Sequence, residues 1–142
     1  MNRTTRTTRA VRTTRAAAAA AGLAFGLVGC DAAVDQVDKA MNETYQVTYE
    51  VTGKNVDSIE YNAGAGTATE PKLESVQKPT LPWKRTVTLK GIAAPTVVPI
   101  AVDPVGAEVV CTITYQGKVI KEESGAGIAA ATGCVAISPI TG

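Results

Sequence analysis

The chain has 142 residues, with 14 basic and 13 acidic side chains and no histidine. This length suits one domain with a single hydrophobic core. Without histidine, the chain lacks the usual general base, the commonest metal ligand and the Ser-His and Cys-His nucleophile arrangements. The near-neutral total is unevenly distributed, because the first 15 residues hold five arginines and no acid.

The first 29 residues have the pattern of a secretory signal peptide. Five arginines at every third position precede an uncharged, alanine-rich segment, residues 16–29, which ends in Gly29. A positive leader, a short apolar core and a small residue at the cleavage site are typical of export signals. A membrane span would need about 20 predominantly apolar residues. We therefore predict that residues 1–29 are a signal peptide and not a transmembrane helix.

The residues around the predicted cleavage site suggest a lipid anchor. Leu27, Val28, Gly29 and Cys30 resemble the lipobox of bacterial lipoproteins, in which the cysteine thiol receives a diacylglycerol with acyl chains such as palmitate. Two acyl chains hold a protein on a bilayer far better than one. The resemblance implies that Cys30 is the lipidation site and that the mature protein is anchored at the extracytoplasmic face of the cell membrane. The alternative is ordinary signal cleavage with an unrelated cysteine nearby.

Cleavage before Cys30 changes the charge of the protein. It leaves nine basic against thirteen acidic residues, a net charge near −4, which argues against binding to nucleic acid or anionic lipid headgroups. Residues 31–44 hold four acids and one base, and we predict a tether there, with a weak one-sided helix as the alternative. The predicted organisation is a lipidated tether over residues 30–44 and a domain over residues 45–142.

The domain has the alternation of β-strands. Residues 45–52 place apolar or aromatic side chains at odd positions and polar ones at even positions, which predicts a half-buried strand. Further strands are predicted over residues 56–61, 83–90, 96–102, 107–115, 118–123 and 134–137. Loops are predicted over residues 62–69, 70–82 (or an irregular edge strand) and 124–133 (or a short helical turn). The prolines of residues 96–102 predict an edge or bulged strand. This spacing predicts an all-β fold, a small immunoglobulin-like β-sandwich.

Two cysteines remain once Cys30 carries lipid. Cys111 and Cys134 are an even pair in an exported domain, where disulfides form and persist, so we predict a disulfide between them. The closed loop would stabilise the fold by about 3 kcal/mol on the chain-entropy model. The alternative is a pair of free buried thiols. Trp83 is predicted to pack in the core near the disulfide, with ligand stacking as the alternative.

The sequence predicts neither an enzyme nor a cofactor. The acidic residues are scattered through predicted strands and loops and form no recognisable catalytic motif. Metal binding is also disfavoured, because Cys111 and Cys134 belong to no CxxC pair and no histidine is present. The sequence assigns no ligand-binding residues.

Several short segments, in this order and at this spacing, resemble the MmpS family of small mycobacterial membrane proteins. They are residues 49–53 (YEVTG), 59–61 (IEY), 81–83 (LPW) and 111–119 (CTITYQGKV), followed by Cys134. The resemblance covers roughly residues 45–137. It implies a periplasmic β-sandwich that assists a resistance-nodulation-division (RND) transporter, the MmpL partner, in exporting lipids or siderophores. Family members usually keep an uncleaved transmembrane helix, which this chain is predicted to replace with a lipoprotein signal.

These observations lead to two functional hypotheses. The first is a lipid-anchored accessory protein that binds an RND transporter, with exposed edge strands available for pairing. The alternative is a free-standing envelope lipoprotein that holds a small amphiphilic ligand between its sheets.

Overall fold

The computed structural model describes residues 37–103 and 105–141, so the predicted signal peptide, Cys30 and the first part of the tether lie outside the described residues. Residues 37–42 are helical, and a 3-10 helix spans Gly127–Ala131. The strands of the described residues are β1 (Thr44–Lys54), β2 (Ser58–Gly66), β3 (Pro71–Gln77), β4 (Trp83–Lys90), β5 (Thr96–Ile100), β6 (Glu108–Tyr115), β7 (Lys118–Ala126) and β8 (Cys134–Val135).

The strands form two antiparallel sheets. Sheet A has the order β4-β1-β6-β7, and sheet B has the order β3-β2-β5-β8. The two sheets enclose one hydrophobic core, to which both contribute buried side chains. The predicted all-β sandwich is therefore confirmed.

The inner face of sheet A follows from alternation along β1. Tyr45, Val47, Tyr49 and Val51 are buried, and the residues between them are half-buried or exposed. The register places buried residues of both neighbouring strands opposite this row: Leu89 and Val87 of β4, and Ile113 and Cys111 of β6. Burying a side chain of this size contributes about 1.5–3 kcal/mol, so the row is a main source of the sandwich's stability.

The strands predicted over residues 107–115 and 118–123 form a hairpin, β6 and β7. Gln116 and Gly117 make its turn, and both have positive φ (47° and 78°). Two consecutive positive φ values are the requirement of the tight turns that join twisted antiparallel strands.

The prediction of a loop over residues 62–69 is wrong for residues 62–66. β2 continues through an irregularity in its pairing with β3 and ends at Gly66. Gly64 permits this course, because it has a φ of +90° and a Cβ there would lie 2.2 Å from the carbonyl oxygen of Thr88. Residues 71–77 form β3, which is the edge-strand alternative of the prediction.

The edge-strand prediction for residues 96–102 holds only for part of β5. β5 lies inside sheet B, between β2 and β8, but β8 pairs with Thr96 and Val97 alone. Pro99 pairs with Ile59 of β2 and lies beyond the end of β8. Its missing N–H therefore costs sheet B no bond to β8.

A disulfide and a buried hydroxyl join the two sheets. Cys111 of β6 bonds to Cys134 of β8, with 5.9 Å between their Cα atoms, so the predicted disulfide is confirmed. The Tyr49 hydroxyl, on β1, donates a hydrogen bond to the Asn62 carbonyl (3.0 Å) and accepts one from the Thr96 N–H (3.2 Å), both in sheet B. Each connection fixes the position of sheet B over sheet A.

Candidate interaction surface

The C-terminal segment exposes its larger apolar side chains and buries its smaller ones. Val135 and Ile137 are 52% and 86% exposed, whereas Cys134, Ala136 and Ser138 are at most 9% exposed. A half-buried strand normally does the reverse, with large apolar side chains facing the core. We call Val135 and Ile137 the β8 strip.

The orientation of the β8 strip is fixed by the residues between its members. Cys134 is held by the disulfide. The Ala136 N–H donates to the Pro95 carbonyl (3.0 Å), and the Ser138 hydroxyl donates to the Gly91 carbonyl (2.9 Å). Since side chains alternate in extended backbone, these inward attachments turn the β8 strip outward.

The strip continues the outer face of sheet B. Thr96 pairs with Val135, and Val98 and Ile100 of β5 are half-buried on the same face. Leu73 of the edge strand β3 is about half exposed. Glu60 is the charged residue on this face among the described strands of sheet B. The apolar side chains of this face lie mainly on β5 and β8, whereas its β2 and β3 side carries polar residues: Ser58, Glu60, Asn62, Ser75 and Gln77.

An open cleft of about 670 Å³ lies beside the strip. Ile120 of β7 lines one side, and residues 135–139 line the other. The cleft lies between β7 and β8, the edge strands of the two sheets. A partner's side chains could enter here and contact Ile137 and Ile120 together.

The β7 edge of sheet A is poorly suited to strand addition. On β7, Lys121 and Glu123 lie opposite the inward-facing Ile113 and Cys111, and their side chains form an ion pair (2.6 Å). Inward-pointing charges and irregular pairing on an edge strand discourage another strand from joining it. The geometry therefore favours docking through side chains on sheet B over strand pairing at β7.

Trp83 belongs to an aromatic cluster on the opposite side of the sandwich. Its ring centroid lies 5.1 Å from that of Tyr61, and the Arg85 guanidinium lies 5.6 Å from the centre of the Tyr61 ring. In the register Trp83 opposes Val51, which separates it from Cys111, so it lies two strands away from the disulfide. The Trp83 ring is only half-buried.

The polar groups around this cluster are paired with one another. The Tyr61 hydroxyl donates to a Glu74 carboxylate oxygen (2.8 Å). Burial raises the pKa of Tyr61, the bond to Glu74 adds to the rise, and the nearby Arg85 charge opposes it. These contacts join the members of the cluster to one another, as is typical of side chains that stabilise the fold.

Two further features of the described residues concern metal-binding groups and membrane-spanning helices. Among residues 37–103 and 105–141, no three His, Cys, Asp or Glu side chains are grouped so as to hold a metal ion. In this same part of the chain, no helix has the length and apolar character to cross a membrane.

The fold defines a small, disulfide-linked β-sandwich with an exposed apolar strip beside β8. Residues 24–139 match the family model described as Mycobacterium membrane protein. The chain therefore belongs to this family, which confirms the resemblance to MmpS-type mycobacterial membrane proteins. A search of curated proteins finds no match. The matched range includes Cys30, whose lipidation stays a prediction.

Proposed function

We propose that this protein is a lipid-anchored, extracytoplasmic accessory protein that binds an RND-type, MmpL-like transporter and assists the export of a lipid or siderophore. It acts by binding, not by catalysis. Membership of a mycobacterial membrane protein family supports the membrane location. The reversed burial pattern of residues 134–138 supports the binding role and is the observation that carries the proposal.

The energetics of the β8 strip suit a binding surface. Fully burying a Val or Ile side chain contributes about 1.5–3 kcal/mol, so covering Val135 and Ile137 would raise affinity by one order of magnitude or more. Such exposed apolar residues beside an open cleft are typical of protein interaction sites. The attachments of Cys134, Ala136 and Ser138 hold the strip in place before binding, which lowers the entropy lost on association.

The position of the strip suits a membrane partner. We define the base as the end of the sandwich where β1, β5 and β7 begin, formed by residues 37–43, 91–95, 116–118 and 136–141. Ile137 lies at this end, because its neighbours bond to Pro95 and Gly91. Anchoring confines both molecules to one thin layer and raises their effective concentration. A strip low on the domain would then meet the extracytoplasmic part of a transporter close to the bilayer.

The interior favours this function over a carrier of a small amphiphile. Tyr49, Tyr61, Ile59 and Leu89 fill the space between the sheets and are at most 1% exposed. The cleft at the β8 strip lies on the surface and suits a protuberance of another protein.

Affinity purification from native membranes tests the proposal. We expect the tagged full-length protein to recover an RND transporter, and the Ile137→Asp variant to lose most of it, because a charge there cannot enter an apolar interface. Ile128→Asp is the matched control, since Ile128 is also a nearly fully exposed isoleucine (88%) but lies on the 3-10 helix. Recovery of no transporter, or equal loss in the two variants, would contradict the proposal.

The lipid anchor has its own test. Cys30→Ala removes the thiol to which the diacylglycerol attaches, so we expect either an unprocessed precursor or release of the domain from the membrane. Mass spectrometry and membrane fractionation measure these outcomes. A Cys30→Ala protein that is processed and stays membrane-bound as before would exclude the lipobox interpretation.

A further inference from the structure

The base carries a second exposed apolar feature, separate from the β8 strip. Val37 is 61% exposed and Ile92 is 43% exposed. Ile92 follows Gly91 in the tight turn after β4, where the Ala93 N–H bonds to the Lys90 carbonyl (3.1 Å). Turns favour Gly, Asn, Asp, Ser and Pro, so a β-branched apolar side chain presented by this turn has no local structural reason.

The turn that presents Ile92 is attached to the segment through which the chain enters the domain. The Gly91 N–H donates to the Glu43 carbonyl (2.7 Å), and the Glu43 N–H donates to the Lys39 carbonyl (2.9 Å). A Cβ on Gly91 would lie 2.5 Å from the Met41 carbonyl oxygen, so the two segments are in direct backbone contact. The entering chain and the Ile92 turn therefore move as one unit.

The length of chain before Val37 limits how far the base can stand from the membrane. The uncharged run of residues 16–29 ends eight positions before Val37, with residues 30–36 between them. Seven fully extended residues span at most about 25 Å. This limit holds for a lipid on Cys30 and for an uncleaved anchor alike. An anchor that ends at residue 29, or a lipid on Cys30, therefore keeps Val37, and with it the base, within about 25 Å of the bilayer.

We propose that the part of the base formed by residues 37–43 and 91–95 rests on the lipid bilayer and that Ile92, together with Val37, inserts into the interfacial region of the lipid. This inference depends on membrane attachment through the N-terminal segment and not on the transporter. Its consequence is a fixed orientation: the long axis of the sandwich stands on the membrane, with the base down and the loop between β5 and β6 directed away.

Charge is a minor contributor to this contact. The charged residues at the base and its border are Lys39, Lys72, Lys90, Lys118, Asp38, Glu43 and Glu70. Bases and acids nearly balance, so the net attraction to anionic headgroups is small. The contact relies instead on the removal of apolar surface from water, which salt does not screen.

Depth-dependent fluorescence quenching tests the proposal with the full-length chain. Ile92→Cys, carrying an environment-sensitive fluorophore, is reconstituted in vesicles of phosphatidylethanolamine and phosphatidylglycerol that contain no other protein. Lipids with a spin label on the acyl chain act as quenchers. Lys118→Cys is the control at the base, and Val102→Cys, at an 80% exposed position in the loop between β5 and β6, is the control at the far end.

We expect quenching at position 92 to be severalfold stronger than at positions 118 and 102, and to persist when salt is raised. Equal quenching at positions 92 and 118 would overturn the proposal, as would loss of the quenching at high salt. Shielding of position 92 only after a transporter is added would assign the base to a protein partner instead and would also overturn it. Because the vesicles contain no transporter, these results do not depend on the proposed function.

Discussion

The two sheets share one core but have different outer faces. On sheet A, the hydroxyls of Thr48 and Thr86 hydrogen-bond across neighbouring strands (2.9 Å), and Lys84 forms an ion pair with Glu50 (3.2 Å). Polar cross-strand pairs of this kind suit a face that stays in water. Sheet B also has a polar pair, Ser75 and Gln77 (2.8 Å), on its edge strand, but it presents in addition the half-buried Val98 and the exposed β8 strip.

This difference raises the question of whether folding requires the exposed apolar side chains of the β8 strip. The polar outer face of sheet A covers the same core, so a solvated outer face is compatible with the sandwich. A partner that covers Val135 and Ile137 would account for their exposure. Variants of the two sheets separate the interactions that hold sheet B in place from the apolar side chains that it exposes.

Removing the disulfide should have the largest effect and should act on sheet B. For the Cys111→Ala/Cys134→Ala double variant we expect the free energy of unfolding to fall by about 3 kcal/mol, measured by chemical denaturation. β8 has only two paired residues, so its position depends on this bond more than that of any strand of sheet A. The wild-type protein after reduction is the control and should show the same loss.

The double variant should also loosen locally around β8 before the whole domain unfolds. In the double variant, hydrogen exchange should rise first at the Ala136 N–H, which bonds to the Pro95 carbonyl beside β8. Amides of β1, at the centre of sheet A, should change less. Uniform acceleration across both sheets would contradict the assignment of the disulfide's role to β8.

Removing the Tyr49 hydroxyl, which joins the two sheets, should have the next largest effect on stability. Tyr49→Phe removes one partner from the buried Asn62 carbonyl and Thr96 N–H, which should lower the free energy of unfolding by about 1–3 kcal/mol. Tyr115→Phe is the matched control, since the Tyr115 hydroxyl bonds to the Gln116 side chain at an exposed position. Chemical denaturation should show a clearly smaller change for the control. Equal effects would mean that the Tyr49 hydroxyl does not join the sheets.

Alkaline pH should weaken the same connection. Burial raises the pKa of Tyr49 above its ordinary value of 10.0, and the hydrogen bond from the Thr96 N–H offsets only part of the rise. The unfolded chain then loses this proton at lower pH than the folded protein does. Stability from Tyr49 is therefore complete below pH 10 and falls above it, by about 1.4 kcal/mol per pH unit. Denaturation midpoints across this range should fall less steeply in Tyr49→Phe, and equal slopes would exclude this origin.

Much of this fold was predictable from alternation. β1 and β6 have long rows of apolar residues at every second position, and β4 alternates from Val87 to Lys90, so local pattern and burial agree. The second half of β2 was not predictable, because the sequence from Asn62 to Gly66 is typical of loops. Only the tertiary contact between Gly64 and the Thr88 carbonyl explains why the strand continues there.

The β8 strip was only partly predictable. The sequence indicates a strand over residues 134–137, but hydrophobicity alone suggests that Val135 and Ile137 face the core. The signal that gives the correct orientation is Cys134: once its disulfide partner lies in the other sheet, it must point inward, and alternation turns Val135 outward. The Ile92 turn had no sequence signal, because its importance depends on the contact between Gly91 and the entering chain.

The smallest stability effects should come from exchanging the polarity of the two outer faces. Val135→Thr/Ile137→Thr on sheet B and Thr48→Val/Thr86→Val on sheet A should each change the free energy of unfolding by less than about 1 kcal/mol, because these side chains lie outside the core. Their surface properties should move in opposite directions. Binding of a hydrophobic dye should fall in the sheet B variant and rise in the sheet A variant.

The outcome of this exchange decides what the β8 strip is for. If the sheet B variant keeps its stability but no longer recovers the transporter, the strip contributes to binding and not to folding. If it loses several kcal/mol instead, Val135 and Ile137 belong to the packing of the sandwich despite their exposure. The exposure of the β8 strip would then need no partner, and the difference between the two sheets would have a structural origin.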